Sequence, residues 1–335
     1  MSTSRKDKLV GSLISLPTFN DNNFNLLIDR SKIHINWLIE NGMTEGNAVL
    51  LMAGGLGEGA FLNDREWDIL AEVVVEAADG RTPTSMGVTD LSARGAAEKA
   101  RRAADLGIDF LQVNPPHYMG PTDDDVFGFY KYINDAADIG IIAYNLPWCM
   151  PNSFEFRQDL FERFADLENM DGLKWGSLSV FHWAGMIRLF KDRFNFIEQG
   201  GMLSLGYKLG MVGFIDTMGN VAPRYTLKKL ELIREKRWDA FDEMELARLD
   251  ADLRSARRAD AGYPGMGEGP PARARLEMMG LDTGPYFPNQ EAESETFRQS
   301  FSKNLELSGF MEWVDWDQSI FDEAKSEVAT GAPAD

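Results

Sequence analysis

The sequence predicts an α/β fold, a (β/α)8 TIM barrel carrying a C-terminal helical extension. Three observations predict it. Short apolar runs rich in β-formers recur along the first two thirds of the chain, amphipathic helical patterns separate them, and the rhythm stops near Pro223. Such alternation implies parallel strands joined by crossover helices. Eight strand–helix units over roughly 230 residues suit the usual size of a single barrel. The 335-residue chain is 44% hydrophobic, enough for one large core. A doubly wound sheet is the structural alternative, but no G-x-G-x-x-G opens a helix after a strand.

Taken in order, strands are expected near Leu9–Pro17, Ala48–Ala53, Pro83–Val88, Phe110–Asn114, Gly140–Asn145, Gly172–Trp175, Phe194–Gln199 and Val212–Thr217. Helical patterns lie between them, as at Phe24–Asn41, Asp64–Ala77, Ala93–Leu106, Asp124–Ala137 and Phe154–Leu167. Residues 1–225 are thus assigned to the barrel and 226–335 to a helical region packed on it. That region opens with a charged helix, about Arg237–Arg258, followed by a Gly/Pro-rich loop at Ala261–Pro271. Further helices are expected near Ala272–Met279 and Glu291–Leu307. The small, acidic tail Asp322–Asp335 is expected to fray.

Charge and composition exclude several functions. Lys plus Arg number 34 against 53 Asp plus Glu, a net charge of -19. Such a surface repels phosphate backbones and anionic lipids, so neither nucleic acid nor membrane is an expected partner. An anionic substrate must be drawn in by local donors instead. Cys149 is the only cysteine, which rules out an intrachain disulfide and a Cys-rich metal site. His34, His117 and His182 are scattered without metal-ligand spacing. The N-terminus lacks an apolar signal region and no run approaches a membrane span, so a cytoplasmic protein is expected.

In such a barrel the chemistry sits at the C-terminal ends of the strands. The second strand ends in Gly54-Gly55-Leu56-Gly57-Glu58. Its glycines expose backbone N–H groups, a seat for a carboxylate, although a tight turn alone would use the same residues. The fourth ends in Asn114-Pro115-Pro116-His117-Tyr118, whose prolines stiffen a loop able to present Tyr118. The fifth ends in Tyr144-Asn145-Leu146-Pro147-Trp148. A strand-end tyrosine either shuttles protons or is an aromatic core residue with a satisfied hydroxyl. The sixth strand carries Lys174 in Asp171-Gly172-Leu173-Lys174-Trp175. Burial disfavours an ammonium, and the resulting neutral amine is a nucleophile toward carbonyls. Taken alone, the local sequence favours a lysine at a strand end that snorkels to solvent, and the rest of the chain reverses that preference. Trp148 and Trp175 either wall the site or point into helix–barrel packing, the latter suiting Trp175 because it alternates with Lys174.

In this order and spacing the segments resemble the dihydrodipicolinate synthase and N-acetylneuraminate lyase family of Schiff-base class I aldolases. The motifs are G-x-x-G-E after the second strand, P-P-x-Y after the fourth, Y-N-x-P after the fifth and G-x-K in the sixth. They stand here as Gly54/Gly57–Glu58, Pro115–Tyr118, Tyr144–Pro147 and Gly172–Lys174. The resemblance extends from about Leu9 to Pro288, and the four motifs in order make it specific. It implies that Lys174 forms an imine with a 2-keto acid and that Tyr144 moves protons. The amides of Gly55 and Leu56 would hold the keto-acid carboxylate, and the carbonyl of Ile215 would lie near the substrate. Tyr118 would reach a neighbouring subunit's site within a homotetramer built as a dimer of dimers. No cofactor and no metal are implied.

The departures shape the expected substrate. Gly55 and Leu56 stand where the synthases have two threonines, one relaying protons and one binding carboxylate. Cys149 stands near where they place a carboxylate-binding arginine. Backbone donors survive these losses, whereas the hydroxyl relay does not. The expectation is therefore a lyase that cleaves or forms a C–C bond with pyruvate, with negligible condensation of aspartate semialdehyde. Two alternatives are a dehydratase of 2-keto-3-deoxy sugar acids, suggested by the Gly-Gly start, and a non-catalytic ligand-binding member.

Overall fold

A computed structural model describes residues 4–118, 120–199, 201–255, 268–288, 290–323 and 328–329. Eight parallel strands close into one barrel. They are β1 (Gly11–Ser15), β2 (Ala48–Met52), β3 (Thr84–Val88), β4 (Phe110–Val113), β5 (Gly140–Tyr144), β6 (Met170–Trp175), β7 (Asn195–Glu198) and β8 (Gly213–Asp216). Neighbours pair in sequence order, and β8 returns to β1 with Gly11 opposite Gly213. Strand alternation separates two cores. Leu13, Val49, Leu51, Phe110, Ile142 and Ile197 fill the barrel interior. Ile14, Leu50, Leu111, Ile141, Leu173, Trp175 and Phe196 face outward into the helix layer.

That layer comprises α1 (Ile28–Glu40), α2 (Asp64–Ala78), α3 (Ala93–Leu106), α4 (Asp123–Asn134), α5 (Gln158–Phe164), α6 (Val180–Phe190), α7 (Leu203–Leu209) and α8 (Pro223–Arg234). Local sequence starts many of them. Asn63 with Glu66 and Thr122 with Asp125 form capping boxes, while Ser92 and Ser179 cap α3 and α6 through their hydroxyls. Pro223, where the βα rhythm stops in the sequence, opens the eighth helix. A proline at the first helical turn gives up an N–H that has no intrahelical partner anyway.

Three more helices follow: α9 (Trp238–Ser255), α10 (Gly269–Met278) and α11 (Glu295–Ser308). The Gly/Pro-rich loop expected through Pro271 is shorter than that, because Pro270 and Pro271 occupy the first turn of α10. Its residues 261–267, and 256–258 of the charged helix, lie outside the described residues. A separate apolar cluster of Phe19, Tyr225, Leu276, Met279, Leu305, Phe310, Trp316 and Phe321 joins this region to the barrel. Most of the tail expected to fray lies outside the described residues, but Val328–Ala329 pair antiparallel with Leu26–Leu27.

Candidate active site

Lys174 lies on β6 with its side chain in the barrel interior and only 3% exposed. The register explains its neighbour. The β5–β6 ladder shifts between Ile141 and Ile142, so Tyr144 pairs directly with Lys174. Both then face inward, and the Lys174 Nζ sits 3.9 Å from the centroid of the Tyr144 ring. Gly172, two residues earlier on the same face, leaves room for Leu9 at the base of the barrel. A Cβ there would meet Leu9 Cδ2 at 2.5 Å. Burial lowers the proton affinity of Lys174 from the ordinary 10.5 to about 8, and the negative charge of Glu268 opposes that shift. A sizeable fraction of the amine is therefore neutral near physiological pH, the state needed for attack on a carbonyl.

Asn145 fixes the ends of β5 and β6 to each other. Its amide nitrogen donates to the Gly176 carbonyl at 2.6 Å, and its carbonyl oxygen accepts from the Phe156 N–H. Trp148, half exposed at 48%, sets its ring 6.2 Å from that of Tyr144 and touches the Gly176 side of the mouth. Trp175 is turned the other way. It is wholly buried, packs edge-on against Phe161 and donates its indole N–H to the Trp183 carbonyl. Strand alternation thus takes one of the two tryptophans out of the site. Cys149 is exposed beside it, and partial desolvation of its sulfur raises its proton affinity, with Glu268 adding to the rise.

The glycine turn is compressed against its surroundings. A Cβ on Gly57 would lie 2.6 Å from the Leu16 carbonyl, and one on Gly59 only 1.9 Å from that of Ala53. Ala53 and Glu58 adopt left-handed backbone within it. Glu58 then turns inward, 2% exposed, and pairs with Arg273 of α10, whose Nε donates to Oε2 at 2.6 Å. Arg273 also donates to Thr283, to the Thr18 carbonyl and to Asn20. These bonds tie α10 to the mouth of the barrel and set Glu268, the residue before the helix, over Gly55. A Cβ on Gly55 would lie 2.4 Å from Glu268 Oε2.

The remaining predicted residues lie on other segments, and the cavity that Ile215 lines does not include Lys174 or Tyr144. Leu56 follows Gly55 on the turn. Ile215 lies near the end of β8 and lines a cavity of about 290 Å³ together with Gln199, Thr217 and Lys229. Tyr118 projects from its loop at 75% exposure. Glu268 and Arg273 were not foreseen. Glu268 falls in the stretch expected to be a loop, Gly-Met-Gly-Glu-Gly-Pro-Pro, where no periodicity singles it out; a lone acid among glycines was the only hint. Among the described residues, no group of three or more His, Cys, Asp or Glu is placed to hold a metal, and no helix is long and apolar enough to cross a membrane.

A closed eight-stranded barrel with a buried lysine facing a tyrosine at its mouth defines a protein of the class I aldolase type. The chain belongs to the dihydrodipicolinate synthetase family, whose sequence profile matches residues 11–245. A 4-hydroxy-tetrahydrodipicolinate synthase of Methylobacterium radiotolerans is 31% identical over 227 residues, 67% of this chain and 73% of its own. Solved structures share the fold at lower identity. A dihydrodipicolinate synthase from Bacillus anthracis superposes with a TM-score of 0.77 at 20% identity, covering 89% of this chain and 97% of its own. N-acetylneuraminate lyase from Mycoplasma synoviae gives 0.73 at 20% identity, covering 91% and 99%. The chain is accordingly an enzyme, a carbon–carbon lyase of this type.

Proposed function

We propose that the protein is a Schiff-base lyase that cleaves or forms a C–C bond between pyruvate and an aldehyde. The observation that carries the reading is Lys174, a buried amine with its proton affinity lowered to about 8, against the face of Tyr144. A lysine in this state adds to the ketone of a 2-keto acid. The protonated imine withdraws electrons from C3, which either attacks an aldehyde or is released from one. Amides of Gly55 and Leu56 would receive the keto-acid carboxylate, and Tyr144 would move protons at the carbinolamine. Ile215 borders the substrate in this reading, and the half-exposed Trp148 gives the aldehyde half an apolar wall. The relatives named as synthases favour pyruvate as one partner. The Gly55, Leu56 and Cys149 departures argue against aspartate semialdehyde as the other.

The test is borohydride reduction in the presence of pyruvate and a panel of 2-keto acids. We expect added mass on the peptide containing Lys174, and loss of labelling and turnover in Lys174→Ala. Labelling elsewhere, or full activity in that variant, would refute the mechanism. Aspartate semialdehyde should condense negligibly, and robust synthase turnover would overturn that part. The Gly54–Gly55 start also suits a dehydratase. Panel members that lose water without releasing pyruvate would identify one.

A further inference from the structure

The cavity of about 290 Å³ that Ile215 borders lies on the helix side of the barrel wall, and neither Lys174 nor Tyr144 lines it. Glu198 and Asp216 supply that wall. Glu198 stands opposite the outward Trp175 in the strand ladder, and Asp216 follows Phe214 on the outward face. Tyr225 and Lys229 of α8, Glu245 of α9 and Arg275 of α10 close the other sides. We infer that this cavity is a second ligand site, which takes the carboxylate of a small monocarboxylic acid on Lys229 and Arg275.

Lys229 is 6% exposed, and an ammonium at that depth needs acceptors. Among the described residues its Nζ makes no hydrogen bond. It lies 4.3 Å from the centroid of the Phe214 ring and 3.8 Å from Glu245 Oε1, which already accepts from the Tyr225 hydroxyl. Arg275 brings a second cation to the same cavity. Its guanidinium packs against the rings of Phe297 and Phe301, with centroids at 5.5 and 5.8 Å. Glu293 feels its charge, yet among the described residues Arg275 makes no ion pair and no hydrogen bond.

The acids that face the cavity are committed to internal donors. Glu198 accepts from the N–H groups of Gly201 and Met202. Asp216 accepts from the Gly219 N–H and from the Ser12 and Thr226 hydroxyls. Glu245 is shared between Tyr225 and Lys229. The capacity left over is therefore donor capacity, on the Arg275 guanidinium and the Lys229 ammonium. A ligand that uses it must bring acceptors, and a carboxylate matches the planar guanidinium fork with both oxygens. A dianion fits less well, because its second charge would be repelled by Glu198, Asp216 and Glu245. Phe301 and Phe310 offer the carbon chain an apolar lining. A bound acid would tie α8 to α10 and so stabilise the fold by mass action.

The probe is butyrate, which has no ketone and forms no imine, so the result does not depend on the Schiff-base reading. Titration calorimetry at fixed ionic strength should show butyrate binding to the native enzyme and no binding of the neutral butyramide. Butyrate should also raise the melting temperature. Lys229→Met and Arg275→Gln should each weaken butyrate binding by about tenfold. Lys174→Ala, which alters the catalytic mouth instead, should leave it within about threefold. No binding by about 10 mM butyrate would overturn the proposal. So would binding that either cavity variant keeps at native strength, or that Lys174→Ala removes, since the acid would then sit elsewhere. Equal binding of butyramide would show an apolar pocket without carboxylate recognition and overturn it as well. If Lys229→Met does not fold, Arg275→Gln, at a half-buried position, decides alone.

Discussion

Lys174 is buried where an ammonium is poorly solvated, and the consequence is a titration that can be followed. With the folded value at about 8 and the ordinary value at 10.5, the unfolded chain holds more protons between those two limits. This group's contribution to stability therefore rises with pH through that window and is most unfavourable below about 8. The penalty it removes is on the order of 3 kcal/mol. The same titration governs reactivity in the same direction, because only the neutral amine attacks. Exchange of pyruvate C3 protons for deuterium should rise with pH to a plateau with an apparent midpoint near 8. A midpoint near 10.5 would show that Lys174 is solvated, contrary to its burial. Lys174→Met should raise thermal stability at neutral pH while abolishing labelling. A fall in the melting temperature would mean that the amine is well satisfied where it sits.

At the scale of elements, the connection between α10 and the glycine turn is the feature most exposed to mutation. The Glu58–Arg273 pair is almost fully buried on both sides. Burial raises the proton affinity of Glu58, and Arg273 opposes that rise. Removing one partner leaves a charge in a low-dielectric site, at a typical cost of about 3–5 kcal/mol. Arg273→Met should lower the urea midpoint accordingly, and adding Glu58→Gln should recover part of the loss. Additive losses in the double variant would show that the two side chains act independently. This connection also marks the limit of what the sequence discloses. Strand positions and the alternation of faces follow from period-2 patterning and motif order, both local properties, whereas the pairing of Lys174 with Tyr144 also needs the shift in the β5–β6 ladder. Trp175 facing away follows from the same alternation once the register is fixed. Arg273 meets Glu58 across more than 200 positions of chain, and nothing in the α10 sequence encodes that contact. Glu268 is likewise placed by the helix that follows it, whereas its own flanking glycines suggest only a turn.

For the whole molecule, the question is whether one chain completes the site. Tyr118 stands on a proline-stiffened loop at 75% exposure, so its own chain does not hold the ring. A hydroxyl fixed by nothing is a poor catalytic element. Near this loop the start of α6 exposes Leu178, Val180 and Phe181, Phe181 by 91%, and His182 there lines one cavity with Gly120 and Pro121. Contiguous apolar exposure of this kind commonly marks an association surface. A dimer of dimers needs two contacts, each closing on its own two-fold axis. We therefore expect a homotetramer in sedimentation, with Tyr118 approaching the partner's site. Phe181→Glu should weaken association and lower the sedimentation coefficient. With Gly55 in place of a hydroxyl that could link the two tyrosines, Tyr118→Phe should slow exchange less than Tyr144→Phe. A monomer, or equal losses in the two tyrosine variants, would mean that Tyr118 has no part in a shared site. Unchanged sedimentation of Phe181→Glu would show that the α6 surface is not an association contact.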